Sequence, residues 1–193
     1  SFGAGVIYRK DIFEKYGIDE FPATTAELAT VLETIKVGLE ADGETDIYPL
    51  TMRGAPGEEP SLDLNGFVYA YAGYPAWFEG GATTPEQIRE TNAKPIFTGD
   101  FKEGFETFVN WSRDYGPDGI ATHTWVDMMN IYGAGQAVVL MPSAINGFAA
   151  LGGTENEAVA NHTGFAPSPI GPSGKPVQSF WTFSVGVSSF SDN

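Results

Sequence analysis

The sequence predicts an α/β fold in a single domain that spans residues 1–193. Short apolar runs typical of buried strands alternate along the chain with longer segments of helical period. This alternation favours layers of helices packed on a sheet. The chain has 193 residues, 42% of them hydrophobic, so it is long enough to bury one sizeable core.

Local signals predict the N-terminal elements. We expect a short strand at residues 5–8 and an amphipathic helix at about residues 11–16, which a glycine can end. Thr24 stands three residues before Glu27, the spacing of a capping box, and predicts the start of a second helix. The apolar residues of that helix keep a helical period: Leu28, Val31, Leu32, Ile35 and Leu39.

The middle of the chain predicts a buried strand at residues 47–52 and a loop at residues 53–60, whose Gly and Pro content requires a surface or a cleft. Helices are expected at residues 61–72 and from Asp100 to about residue 115. The second of these carries an apolar stripe: Phe101, Phe105, Phe108 and Val109. Further strands are expected at residues 137–141, 164–167 and 183–188.

Residues 119–143 carry the strongest functional signal. Thr124 and Asp127 repeat the capping-box spacing, which puts Trp125 in the first turn of a helix. Ser143 can cap the helix that follows the next strand. Because backbone amides at helix starts are free to bind a ligand, we expect Trp125 and Ser143 to face one ligand-binding mouth.

The charge balance argues against several partners. The chain holds 25 acidic residues and only 10 Lys and Arg, which gives a formal net charge of −15. Nucleic acids and anionic membranes are bound by clustered basic side chains, so neither is expected as a partner. A solvated acidic surface that aids solubility is the simpler interpretation of this charge.

The absence of cysteine excludes disulfides, thiolate zinc sites and cysteine nucleophiles. No apolar run approaches the roughly 20 residues that span a bilayer. The chain begins beside a predicted strand without the basic segment of a signal peptide, so we expect it to be a piece of a longer protein.

Three segments carry, in order, the patterns of a known family. Residues 6–18 contain an aromatic strand, a Lys-Asp pair and a glycine-terminated helix, with Arg9 where the family has Asn. Residues 21–28 are similar to a Pro-x-Thr-Trp-x-Glu-Leu helix start, with Thr25 at the Trp position. Residues 119–143 follow the family's signature, in which Gly-Lys has become Gly-Gln and Gly-Pro-Trp has become Met-Pro-Ser. The chain thus resembles the extracellular solute-binding proteins that feed ABC importers, especially their sugar-binding branch.

The resemblance implies the second lobe of a two-lobe periplasmic-binding-protein fold of the class II type, with a central mixed sheet flanked by helices. Residues 1–193 would form that single α/β lobe, and the first lobe would be absent from the chain. It implies a periplasmic or extracellular location. The implied partners are a sugar, oligosaccharide or polyol ligand and, through the full-length protein, an ABC permease in the membrane. No cofactor, metal or catalytic group is expected.

Aromatic residues are the best candidates for ligand contacts. A sugar presents flat C–H faces beside its hydroxyls, so its site needs aromatic plates together with carboxylates or amides. Trp77, Trp125 and Trp181 stand near predicted loops or element ends, although each can instead belong to the core. Trp111 lies inside a helix and is expected to be structural.

The remaining candidates are Glu59, Ser143 and Tyr8. Glu59 precedes a proline where maltodextrin-type members carry Glu-Pro-aromatic, but an exposed loop carboxylate is the slightly favoured interpretation. Capping alone can explain Ser143. Without the first lobe, Trp125, Trp181 and Tyr8 would form an exposed patch, so weak dimerisation of the chain is expected.

The other motifs give weaker signals. Residues 171–175 resemble a phosphate loop, but the glycines are too close and Pro176 replaces the required Ser or Thr, so we interpret them as a hairpin turn. His123 and Asp127 have the spacing of helical metal ligands, yet His123 should precede the helix. A glycoside hydrolase needs only two suitably placed carboxyls and stays open as an alternative, as does a stand-alone carbohydrate-binding module.

Overall fold

The structure is a computed structural model that describes residues 5–57, 61–73, 78–95, 99–141 and 151–176. Within these residues, four strands form one mixed sheet in the order β2-β3-β1-β4. The strands are β1 (Val6–Arg9), β2 (Tyr48–Thr51), β3 (Ala137–Leu140) and β4 (Thr163–Ala166). The predicted strand at residues 183–188 lies outside the described part of the chain.

The sheet combines both kinds of pairing. β1 is antiparallel to β3, with Ile7 opposite Leu140, and is also antiparallel to β4. β2 is parallel to β3, with Leu50 opposite Val139. All four residues of β3 are fully buried, as expected for a central strand covered by helices on both faces. The predicted α/β class with a central mixed sheet is confirmed.

Helices of the described residues pack around this sheet. They are α1 (Lys10–Lys15), α2 (Thr25–Asp42), α3 (Ser61–Ala72), α4 (Pro85–Thr91), α5 (Asp100–Tyr115), α6 (Trp125–Gly133) and α7 (Glu157–His162), with short 3-10 turns at Glu79–Gly81 and Ile120–Thr122. Among the described residues, α1, α2 and α5 contribute side chains to one core cluster, and α6 and α7 contribute to a second cluster.

The predicted capping box at α2 is confirmed. The Thr24 hydroxyl accepts from the Glu27 amide at 3.2 Å, and the Glu27 carboxylate accepts from the Thr24 amide at 2.9 Å. Gly43 ends this helix in the left-handed region, at φ 74°. Helix α4 was not predicted, although Thr84 and Gln87 form the same type of box there, with Pro85 in the first helical position.

The predicted apolar stripe of α5 is only partly correct. Phe101 and Phe108 are buried, but Phe105 is 46% exposed and Val109 is 42% exposed. The buried face of α5 runs through Phe101, Gly104, Phe108 and Trp111. Gly104 is the point on this face where α5 meets α3. A β-carbon there would lie 2.9 Å from the Val68 Cα, so the glycine allows the two helices to pack closely.

Trp111 is a core residue, as predicted. It is 7% exposed, and its ring meets that of Phe67 edge-on with the centroids 5.3 Å apart. This arrangement is typical of packed aromatic pairs.

Candidate functional site

Strand ends and helix starts meet at one edge of the sheet. The parallel strands β2 and β3 end there, and the antiparallel β1 begins there. α3 and α6 also begin beside this edge, since hydrogen bonds join the loop that follows β2 to Asp63 in the first turn of α3 and to His123, which precedes the N-cap of α6. We call residues 51–55, 63–65 and 120–127 the strand-end edge. Ligands of open α/β sheets characteristically bind outside the carboxyl ends of parallel strands.

Trp125 opens α6 at the strand-end edge. The preceding residue is the N-cap, as predicted: the Thr124 amide donates to an Asp127 carboxylate oxygen at 2.8 Å, and the Asp127 amide donates to the Thr124 hydroxyl at 3.4 Å. Trp125 is 44% exposed and its neighbour Val126 is 40% exposed. The local sequence therefore presents an aromatic ring and an aliphatic side chain to solvent in the first turn of a helix.

The Asp127 carboxylate stabilises this helix start. Hydrogen bonds from the Thr124 backbone and side chain hold the pKa of Asp127 below its ordinary value of 3.8. Asp127 is thus charged at neutral pH, and an anion is favoured at the positive end of the helix dipole. The charge fixes the geometry of the turn that carries Trp125.

A buried ion pair holds the loop after β2. The carboxylate of Asp63, in the first turn of α3, accepts the Arg53 backbone amide at 2.8 Å and the Arg53 Nε at 3.0 Å, and it also pairs with Nη2 of Arg53. Arg53 is 6% exposed and Asp63 is fully buried. The structure thus commits the Arg53 guanidinium to Asp63.

The same loop is bonded to the start of α6. The amides of Gly54 and Ala55 both donate to the carbonyl oxygen of His123 at 3.0 Å. A β-carbon on Gly54 would lie 2.3 Å from the carbonyl oxygen of Ile120, so only glycine allows this approach. Residues 53–55 thereby connect the first turn of α3 to the segment that precedes Trp125.

Three buried polar atoms on the segments of the strand-end edge have no hydrogen-bond partner within the described part of the chain. They are Thr51 Oγ1, Asn65 Oδ1 and His123 Nδ1. Most buried polar groups in folded proteins are paired, and exceptions call for an explanation such as water or a functional role.

Tyr8 occupies a different environment. It is half-buried in β1, and its ring centroid lies 4.7 Å from that of Phe13 and 5.0 Å from that of Phe21. These contacts place it at the boundary of the core cluster. Of the other predicted site residues, Trp77, Trp181, Glu59 and Ser143 lie outside the described residues.

The weaker sequence motifs form a turn and a segment that precedes a helix. The amide of Gly174 donates to the carbonyl of Gly171 at 3.0 Å, which confirms a turn at residues 171–174. His123 precedes α6, as predicted, and the described residues contain no group of three or more His, Asp or Glu side chains that could hold a metal ion. Over the same part of the chain, every helix is too short or too polar to cross a bilayer.

Comparison with known proteins defines the family. A family model described as bacterial extracellular solute-binding protein matches residues 1–193, so the chain belongs to this family. A probable ABC transporter-binding protein of Deinococcus radiodurans is 26% identical over 194 residues, which cover 98% of this chain and 42% of that protein. The resemblance stated from the sequence is confirmed.

Solved structures show the same fold. An ABC transporter solute-binding protein of Agrobacterium vitis S4 with bound D-mannitol superposes with a TM-score of 0.73 at 21% identity, over 91% of this chain and 38% of that one. Maltose-bound MalE3 of T. maritima gives a TM-score of 0.67 at 24% identity, over 90% and 40% of the two chains. The chain spans about two fifths of the length of these relatives.

Proposed function

We propose that residues 1–193 form the second lobe of an extracytoplasmic solute-binding protein that captures a sugar, an oligosaccharide or a polyol and delivers it to an ABC permease. The observation that carries the proposal is the half-exposed Trp125 ring at the strand-end edge, on a helix start that is capped by Thr124 and Asp127. Two structures with the same fold hold D-mannitol and maltose, which supports this ligand class. The two-fifths share of the relatives' length agrees with one lobe of two.

The geometry supports a non-covalent mechanism. The Trp125 ring offers a flat apolar surface to the C–H face of a sugar, while polar groups at the same edge can bond its hydroxyls. A ligand that touches both lobes makes some contacts only when the cleft is closed. These contacts shift the hinge equilibrium towards the closed form, which the permease would recognise.

Trp125 is the central member of the proposed ligand-binding set. Trp77, Trp181, Glu59 and Ser143 remain proposed contacts on the grounds given by the sequence. Tyr8 also remains in the set, although its packing against two phenylalanines makes it a weaker member.

Capture without turnover is the expected behaviour. The two-lobe protein should be titrated by calorimetry with a library of sugars and polyols that includes D-mannitol and maltose, and each mixture should then be analysed by chromatography after prolonged incubation. We expect saturable binding of at least one compound, which is recovered unchanged. Cleavage of an oligosaccharide would instead support a carbohydrate-active enzyme, and binding of no compound would contradict the proposed ligand class.

The isolated chain should associate weakly through the same edge. Trp125 and Val126 are both about two fifths exposed and adjacent, and an uncovered apolar patch favours a two-fold contact between copies. Sedimentation velocity should show concentration-dependent dimerisation that Trp125→Ala weakens. A strict monomer at high concentration would contradict this part of the proposal.

A further inference from the structure

We infer that Arg53 and Asp63 are positioning residues, which set ligand affinity by holding the start of α6, and with it Trp125, at the strand-end edge. This inference rests on the proposed function, because the affinity it concerns is that of the proposed sugar or polyol site. Neither side chain needs to touch the ligand. Both are buried, and the Asp63 carboxylate accepts from the Arg53 amide and guanidinium.

The ion pair fixes the direction in which the chain leaves β2. Arg53 is bonded to one carboxylate through its backbone and its side chain, so its main chain and its guanidinium are both tied to the first turn of α3. A planar guanidinium on a carboxylate restrains orientation as well as distance. The backbone of the two residues that follow Arg53 therefore has a defined direction relative to the start of α3.

Those two residues hold the start of α6. Both amides, of Gly54 and of Ala55, donate to the carbonyl of His123, which directly precedes the N-cap of the helix. A β-carbon on Gly54 would lie 2.3 Å from the Ile120 carbonyl oxygen, so the loop packs closely against the 3-10 turn that precedes α6. Displacement of Arg53 would thus be transmitted to His123 and to the turn that carries Trp125.

The competing explanation is that the Arg53–Asp63 pair only stabilises the fold. The behaviour of buried ion pairs in other proteins makes this the weaker explanation. When both members of a buried ion pair are replaced by well-packed apolar residues, stability is often kept, so a buried pair is weak evidence for a stabilising role, although removing one member alone leaves an unpaired charge and is destabilising. Side chains that hold a functional group in place act through geometry, and small displacements of such a group reduce binding markedly. Positioning and stabilisation predict different measurements.

A double-mutant cycle tests the positioning role through ligand affinity. Arg53→Met, Trp125→Ala and the double variant of the two-lobe protein should be titrated with the library member that binds the unmodified protein most tightly. Arg53→Met should weaken binding about tenfold, by analogy with the lower end of the losses seen when groups that orient metal-ligating side chains are removed. In the Trp125→Ala background it should change affinity less than about twofold, because interacting residues are not additive.

Matched controls keep the test decisive. Arg113→Met breaks an exposed pair with Asp114 on α5 and should leave affinity unchanged. If Arg53→Met does not fold, Arg53→Lys, which keeps the charge but loses the planar fork, should give the same pattern at a smaller size. Equal losses of affinity from the Arg53 variant in both backgrounds, or no loss in either, would overturn the inference.

A ligand-free readout separates failure of this inference from failure of the proposed function. Hydrogen exchange should be faster in Arg53→Met at the amides of Asp127 and Met128, which bond to Thr124, than in the unmodified protein. The amide of Leu28 in the first turn of α2 should keep its rate. If no sugar or polyol binds, this selective change still supports the positioning of α6, whereas equal acceleration at all three amides would show a purely stabilising role.

Discussion

Replacing Trp125 by alanine should weaken ligand binding strongly and the fold only moderately. Trp125 is 44% exposed, so folding buries just over half of its surface. Taking about 200 Å² for a fully buried aromatic side chain, this corresponds to roughly 110 Å². At about 25 cal/mol per Å² the upper limit of the lost stability is about 3 kcal/mol. Denatured chains already bury part of this surface, so we expect about 2 kcal/mol in the free energy of unfolding.

Trp111 provides the matched control. It is 7% exposed and packs edge-on against Phe67, so Trp111→Ala should cost about 3–5 kcal/mol of stability and leave the affinity unchanged where the variant folds. Trp125→Ala should reduce affinity at least about 30-fold, since truncating a central aromatic anchor costs about 2 kcal/mol or more of binding free energy.

Both quantities should be measured on the same preparations of the two-lobe protein, stability by denaturant titration and affinity by calorimetry. Trp111→Ala is compared under conditions where it is fully folded. An unchanged affinity in Trp125→Ala would refute the assignment of its ring as a ligand plate. Equal losses of affinity in the two variants would refute the distinction between plate and core.

The packing and capping contacts give further expectations for the 193-residue chain. Gly104→Ala should lower the melting temperature because its β-carbon would meet the α3 backbone. Gly152→Ala should leave it nearly unchanged, since a β-carbon there would meet no atom of the described residues within 4 Å. Thr24→Ala should cost about 1 kcal/mol in denaturant titration through loss of a helix cap, while Thr30→Ala, on an exposed helix face, should cost far less. Because folding lowers the pKa of Asp127, the unfolded chain binds more protons between that lowered pKa and 3.8; stability should therefore fall as pH decreases through this window, less so in Asp127→Asn. The packing role of Gly104 would be contradicted if Gly152→Ala were as unstable as Gly104→Ala. The capping role of Thr24 would be contradicted if Thr30→Ala were as unstable as Thr24→Ala. An unchanged dependence of stability on pH in Asp127→Asn would contradict the role of the Asp127 carboxylate.

Much of the fold could be predicted because its signals are local. The capping boxes at Thr24 and Thr124 depend on residues three positions apart, and both are present in the structure. The position of Trp125 in the first turn of α6 follows from the second box. The box at Thr84 has the same spacing and was missed, although the Thr-Pro-x-Gln sequence carries the signal.

The features that could not be predicted depend on tertiary packing. Helical period alone does not fix which side of α5 faces the core, and the close approach at Gly104 turns Phe105 and Val109 towards solvent. The pairing of Arg53 with Asp63 joins residues ten positions apart, across a loop and a helix start. No periodic pattern in the sequence indicates such a contact, so the burial of Arg53 against Asp63 could not be predicted.

Comparison of the isolated 193-residue chain with the two-lobe protein tests the central claim most directly. Calorimetric titration of both with the same sugar or polyol should show saturable binding to the two-lobe protein. Binding to the isolated chain should be at least about 100-fold weaker, because cleft closure and burial of the ligand on its second face are lost. Equally tight binding by the isolated chain would contradict the assignment of residues 1–193 as one half of a ligand site that lies between two lobes.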